Sequence, residues 1–100
     1  PISRGSTLTF ERPDPDRFPC LSLAFEAART GGSMPCVLNS ANEAAVERFL
    51  AGECGFTDIP RLVEGCMARH ASSGFVREPE FDDIMELDQW ARATVRASGR

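Results

Sequence analysis

The sequence predicts an all-α fold, a small bundle of about four helices preceded by an extended linker and one orphan strand. Three observations predict it. Four stretches combine helical apolar spacing with start and stop signals. Only residues 7–11, Thr-Leu-Thr-Phe-Glu, alternate in the manner of a strand, and one strand has no ladder partner within the chain. Between them, Arg12-Pro13-Asp14-Pro15-Asp16-Arg17 carries two prolines that fix φ and remove amide donors, which predicts an extended linker and a domain boundary. The chain therefore divides into residues 1–17, strand plus linker; residues 18–97, the helical bundle; and residues 98–100, a tail expected to fray. The unpartnered strand, and a first residue Pro1 in place of Met, lead us to expect the C-terminal piece of a larger protein.

The first helix opens at Pro19, since proline suits a first turn and Asp16 lies just upstream where negative charge complements a helix N-terminus. Gly31-Gly32 stops it, and Leu21, Ala24, Phe25 and Ala28 form its expected buried stripe. Ser33-Met34-Pro35 opens the second, with Cys36, Val37 and Leu38 in an apolar first turn. Ser40-Ala41-Asn42-Glu43 has the form of a capping box, predicting a helix that restarts at Ser40 and runs through Ala44, Ala45, Val46, Phe49 and Leu50 to Gly52 or Gly55. Thr57-Asp58 then starts the clearest amphipathic helix, whose apolar face is Ile59, Leu62, Val63, Cys66 and Met67. Ser72-Ser73-Gly74 ends it, and Arg77-Glu78-Pro79-Glu80 crosses back as an extended loop. A short helical turn over residues 81–87 leads to Asp88, the expected N-cap of a last helix carrying Trp90, Ala91, Thr94 and Val95.

Composition narrows the function classes. One hundred residues with 42% apolar content support one core. A net charge of −4 opposes binding to nucleic acid and to anionic lipid. No stretch approaches the roughly 20 apolar residues of a membrane helix, and no secretory signal precedes the linker, so a soluble, cytoplasmic chain is expected. Cys20, Cys36, Cys54 and Cys66 lie 16, 18 and 12 positions apart with a single histidine, His70. Zinc sites need closer pairs, so these are expected to be buried free thiols in a reducing compartment.

No candidate chemistry survives its plainer reading. Asp82, Asp83, Glu86 and Asp88 form the densest acidic cluster, but neighbours on a helix diverge by about 100° and no calcium-loop spacing is present; they read as helix-start or solvated charge. His70, at a helix C-terminus, reads as a cap or surface residue rather than a general base. Asn39 and Asn42 read as capping or linker-bonding amides. Ser33, Ser40, Ser72 and Ser73 lack a nucleophile elbow, and Gly31-Gly32 lacks the order of a phosphate loop. Trp90, Phe81, Leu87 and Val95 read as core. The expected catalytic, cofactor-binding and metal residues are none.

Five stretches in order carry a resemblance: residues 8–21 (Leu-Thr-Phe-Glu-x-Pro-Asp-x-Asp-Arg-Phe-Pro-Cys-Leu), 37–43 (Val-Leu-Asn-Ser-Ala-Asn-Glu), 49–52 (Phe-Leu-Ala-Gly), 55–60 (Gly-Phe-Thr-Asp-Ile-Pro) and 82–92 around Asp82-Asp83-Ile84 and Asp88-Gln89-Trp90-Ala91-Arg92. Over most of residues 7–92 the chain resembles the final segment of the 1-deoxy-D-xylulose 5-phosphate reductoisomerase family. Ser40 stands where alanine is common in that family. The resemblance implies a V-shaped homodimeric parent with an NADPH-binding domain, a central catalytic domain and a C-terminal helical bundle. Such a parent converts 1-deoxy-D-xylulose 5-phosphate to 2-C-methyl-D-erythritol 4-phosphate in isoprenoid biosynthesis with NADPH and Mg²⁺ or Mn²⁺. It implies too that the orphan strand ends the central domain's sheet, that this domain is the bundle's partner, and that the family's metal, phosphate and substrate residues precede the matched segment, leaving a fragment that is inactive alone and holds no cofactor. The competing class is a stand-alone helical protein-binding module.

Overall fold

The computed structural model describes residue 17 and residues 19–99. The expected strand at residues 7–11 and the linker before Arg17 lie outside the described residues. Within them every element is a helix: α1 Pro19–Thr30, α2 Met34–Leu50, α3 Asp58–Ser72 and α4 Phe81–Ala97.

The turns explain the boundaries. Gly31 and Gly32 both take positive φ, 72° and 56°, closing α1. Gly32 has a second reason to be glycine, because a Cβ there would lie 2.6 Å from the Val76 carbonyl oxygen and 2.9 Å from that of Arg77. The loop between α3 and α4 therefore rests directly on the α1–α2 turn. At the end of α2 the chain turns through Gly52, also at positive φ, and Glu53 N–H returns to the Arg48 carbonyl.

Side-chain pairings give the directions. Ser40 meets Asp88, Glu43 meets Arg92 and Glu47 meets Arg96, so α2 and α4 run parallel with an offset of 48 or 49 residues. At the opposite sense, Ser33 at the start of α2 meets His70 near the end of α3. Helices α2, α3 and α4 thus alternate in direction, and α2 packs against α1, α3 and α4. After Met34 and Val37 its buried positions are small, Ser40, Ala41, Ala44 and Ala45, which lets its neighbours approach closely. Around them Leu23, Met34, Val37, Ile59, Leu62, Val63, Cys66, Met67 and Val95 complete the core.

The face expected on α3 is buried at all five positions. Elsewhere the structure corrects local readings. On α1 the buried residues are Leu23 and Ala27, while Leu21 is 52% exposed and Ala28 is exposed. Apolar residues occupy most of that helix's circumference, so spacing alone fits more than one stripe, and contact with α2 and α3 selects the other. The restart at Ser40 does not occur: α2 is continuous, and Ser40 lies in its interior. Nor does a helix start at Asp88. α4 begins at Phe81 behind a capping box in which Glu80 and Asp83 bond each other's backbone. The tail expected to fray begins at a residue bonded three ways: Ser98 donates from Oγ to Thr94 O and from N–H to Val95 O, and its carbonyl accepts from Arg48.

Candidate docking face

The side chains weighed for chemistry are dispersed. Asp82 and Glu86 are exposed, Asp83 is engaged in the α4 cap, and Asp88 points at α2. Among the described residues no three His, Cys, Asp or Glu side chains converge as an ion site would need. Of the expected buried thiols, Cys54 and Cys66 are buried, Cys36 is half-buried and Cys20 is exposed. Burial pushes the Cys66 thiol up to about 11. Ser72 back-bonds to Ala68 within its own helix.

His70 is placed where its sequence position did not suggest. It is 1% exposed, between the rings of Phe75 and Trp90, with Nε2 2.6 Å from Ser33 Oγ. Val76 N–H donates to the same Oγ at 2.9 Å. Burial lowers the imidazole's proton affinity. This group is a polar pin joining α3, the α1–α2 turn and the last loop. Ser33 opens the ring of contacts in a second way, its N–H donating to Val76 O at 2.8 Å.

The α2–α4 seam is charged. Ser40 Oγ donates to Asp88 Oδ1, Arg92 bridges Asp88 and Glu43 at 3.0 and 2.6 Å, and Arg96 approaches Glu47 at 3.5 Å. The Ser40 hydroxyl first, and the Arg92 guanidinium after it, hold the Asp88 carboxyl below its usual range against the opposing effect of burial. Arg48 Nη1 donates to both Val95 O and Ser98 O at 2.8 Å, a cation on the last carbonyls of α4.

A concave surface lies on the other side, where α1 crosses α2 and the start of α3. It is a groove of about 670 Å³ lined by Pro19, Cys20, Leu21, Asn42, Val46, Phe56, Thr57, Ile59 and Pro60. A second recess of about 340 Å³ shares Cys20 and Asn42 and continues past Leu38 and Asn39. Leu21 and Phe56 stand 52% and 71% exposed on its walls, with Phe56 edge-on to Phe49 at 5.7 Å. No lining residue is charged, in a chain of which 26% is. Asn39 and Asn42, expected as capping or linker-bonding amides, cap no helix: they sit in mid-helix as exposed amides beside this groove, and the linker lies outside the described residues. Sequence reading missed Leu21 and Phe56; the available signal for the latter was an aromatic directly after Gly55 in a turn.

The groove holds no histidine or carboxylate to act as a general base, and among the described residues no ion site. Three of the five stretches that carry the family resemblance meet in it. Residues 2–94 match the family described as DXP reductoisomerase C-terminal domain. The chain is 53% identical over 94 residues to the 1-deoxy-D-xylulose 5-phosphate reductoisomerase of Acetivibrio thermocellus, covering 94% of this chain and 24% of that protein. It is 47% identical over 95 residues to the protein of that name from Synechococcus sp. strain CC9902, covering 95% and 22%. With that of Pelotomaculum thermopropionicum it shares 54% over 85 residues, covering 85% and 21%. The chain thus spans under a quarter of the length of these relatives.

Proposed function

Because the chain belongs to the DXP reductoisomerase C-terminal domain family, we propose that it is the C-terminal structural domain of a 1-deoxy-D-xylulose 5-phosphate reductoisomerase. The parent rearranges and reduces 1-deoxy-D-xylulose 5-phosphate to 2-C-methyl-D-erythritol 4-phosphate as a cytoplasmic homodimer. NADPH would supply the reducing equivalents and Mg²⁺ or Mn²⁺ would assist, both held by residues of the preceding domains. Residues 1–17 then supply the last strand and linker of the central domain, and residues 18–97 the bundle that braces it. Bracing has kinetic value, since small displacements of catalytic groups are costly in rate.

The observation that carries this reading is a family match over residues 2–94 at under a quarter of the relatives' length. The experiment is a paired assay of NADPH oxidation with substrate and Mg²⁺. The protein encoded by the complete reading frame turns over, and the 100-residue chain alone does not; turnover by the chain alone overturns the reading. An upstream frame without a glycine-rich nucleotide-binding start favours a stand-alone binding module instead.

A further inference from the structure

A recess of about 570 Å³ between α3 and the end of α4 has a composition that packing does not explain. Its walls include Arg61, Gly65 and Arg69 from α3, with Thr94 and Ser98 from α4. Positions 61, 65 and 69 are four apart, so they stack along one face of α3 with about 6 Å of helix rise from each to the next. The two arginines therefore flank the space over Gly65. That glycine lies in the interior of a helix, which glycine weakens. Its φ is not positive, and an added Cβ would meet nothing within 4 Å. Neither backbone conformation nor a close neighbour accounts for it, and its effect is to leave open backbone between two guanidinium groups.

The charges run one way. No carboxylate lines the recess, and Glu64, the nearest acid along α3, lines a different one toward α1. Arg69 forms no ion pair among the described residues, and Arg61 meets Asp58 at 3.2 Å on the surface. The carbonyls that end α4, whose dipole would repel an anion, are engaged by Arg48, which donates to Val95 O and Ser98 O. Two guanidinium forks around an open floor match a tetrahedral dianion, which can accept paired N–H groups from each. A net charge of −4 opposes an extended polyanion, which leaves a small molecule.

We propose that this recess binds a small phosphoryl compound, its phosphate held between Arg61 and Arg69 over Gly65, with the Thr94 hydroxyl as a further donor. The site stands independently of the reading of the chain as a C-terminal domain.

The test is a titration of the chain with inorganic phosphate, and separately with glycerol phosphate, at constant ionic strength, followed by the NMR shifts of backbone amides and arginine Nε–H groups. Saturable shifts are expected at Gly65, Arg61 and Arg69, and chloride at the same ionic strength does not produce them. Arg69→Gln weakens phosphate binding by about tenfold or more. Arg29→Gln, at an exposed arginine of α1, leaves it unchanged. Gly65→Ala raises the melting temperature and still weakens binding by about tenfold, so that loss cannot come from unfolding. Shifts that do not saturate, or that chloride reproduces, overturn the site, as does undiminished affinity in either Arg69→Gln or Gly65→Ala. Tighter binding of the ester assigns the rest of the recess to an organic group, and equal or weaker binding assigns the site to inorganic phosphate; both uphold it.

Discussion

Ser40 Oγ and Asp88 Oδ1 lie 2.5 Å apart, joining the interiors of two parallel helices across 48 residues of sequence. Each of the two, taken locally, has the chemistry of a helix start. Each instead satisfies the other, with Arg92 closing the cluster on the solvent side.

Ser40→Ala removes the donor and leaves Asp88 with Arg92. A hydrogen bond of this kind contributes about 1 kcal/mol net. Urea denaturation of Ser40→Ala, Asp88→Ala and the double variant is expected to show that the single losses do not add, with a coupling of about 1 kcal/mol. Additive losses would mean that the two side chains do not interact in solution.

Acid destabilises the bundle in two separate windows. His70 binds a proton less readily folded than unfolded, so its contribution is complete above the ordinary value of 6.5 and is lost as pH falls below it. Asp88, held below 3.8, contributes above that value and loses its contribution as pH falls through its folded value. Since His70 is the sole histidine, His70→Gln is expected to flatten the fall in stability that begins as pH drops below about 6.5, while the Asp88 contribution persists. Melting curves across pH check both.

The two glycines of the α1–α2 turn differ in what surrounds them. Left-handed backbone costs an alanine about 1–2 kcal/mol, and Gly31→Ala should cost only that, because nothing lies within 4 Å of the added carbon. Gly32→Ala must also displace the Val76 carbonyl. Thermal melts should place Gly32→Ala well below Gly31→Ala, at roughly 4–8 °C per kcal/mol for a domain of this size.

The face of α1 can be tested by truncation. Leu23→Ala empties buried volume and is expected to cost about 2–5 kcal/mol in the 100-residue chain. Leu21→Ala, at an exposed position, should change its stability by no more than about 0.5 kcal/mol. The reverse order would restore the stripe that spacing suggested.

Much of the fold was legible because it is written in local pattern. α3 shows this best: its apolar residues fall on one side only, so periodicity alone picks out Ile59, Leu62, Val63, Cys66 and Met67. Turn glycines marked three of the breaks for the same reason. What failed depended on partners distant in sequence. Ser40 and Asp88 carry capping chemistry that cannot announce a target 48 residues away. His70 stands where a helix-end cation is common, and its burial follows from Ser33, Phe75 and Trp90 arriving from three other segments. α1 is apolar over most of its circumference, so the side left open for a groove was visible only once α2 and α3 had covered the other.

Matched height along α2 and α4 also limits how this half of the chain can change in length. One residue gained between Ser40 and Glu43 turns everything beyond it by about 100° and advances it by about 1.5 Å, which strands Arg92 and Arg96 from their acids. Only an equal gain at the same level of the other helix realigns them. Indels in these two segments are therefore viable as compensating pairs, while single ones are confined to the connections between helices.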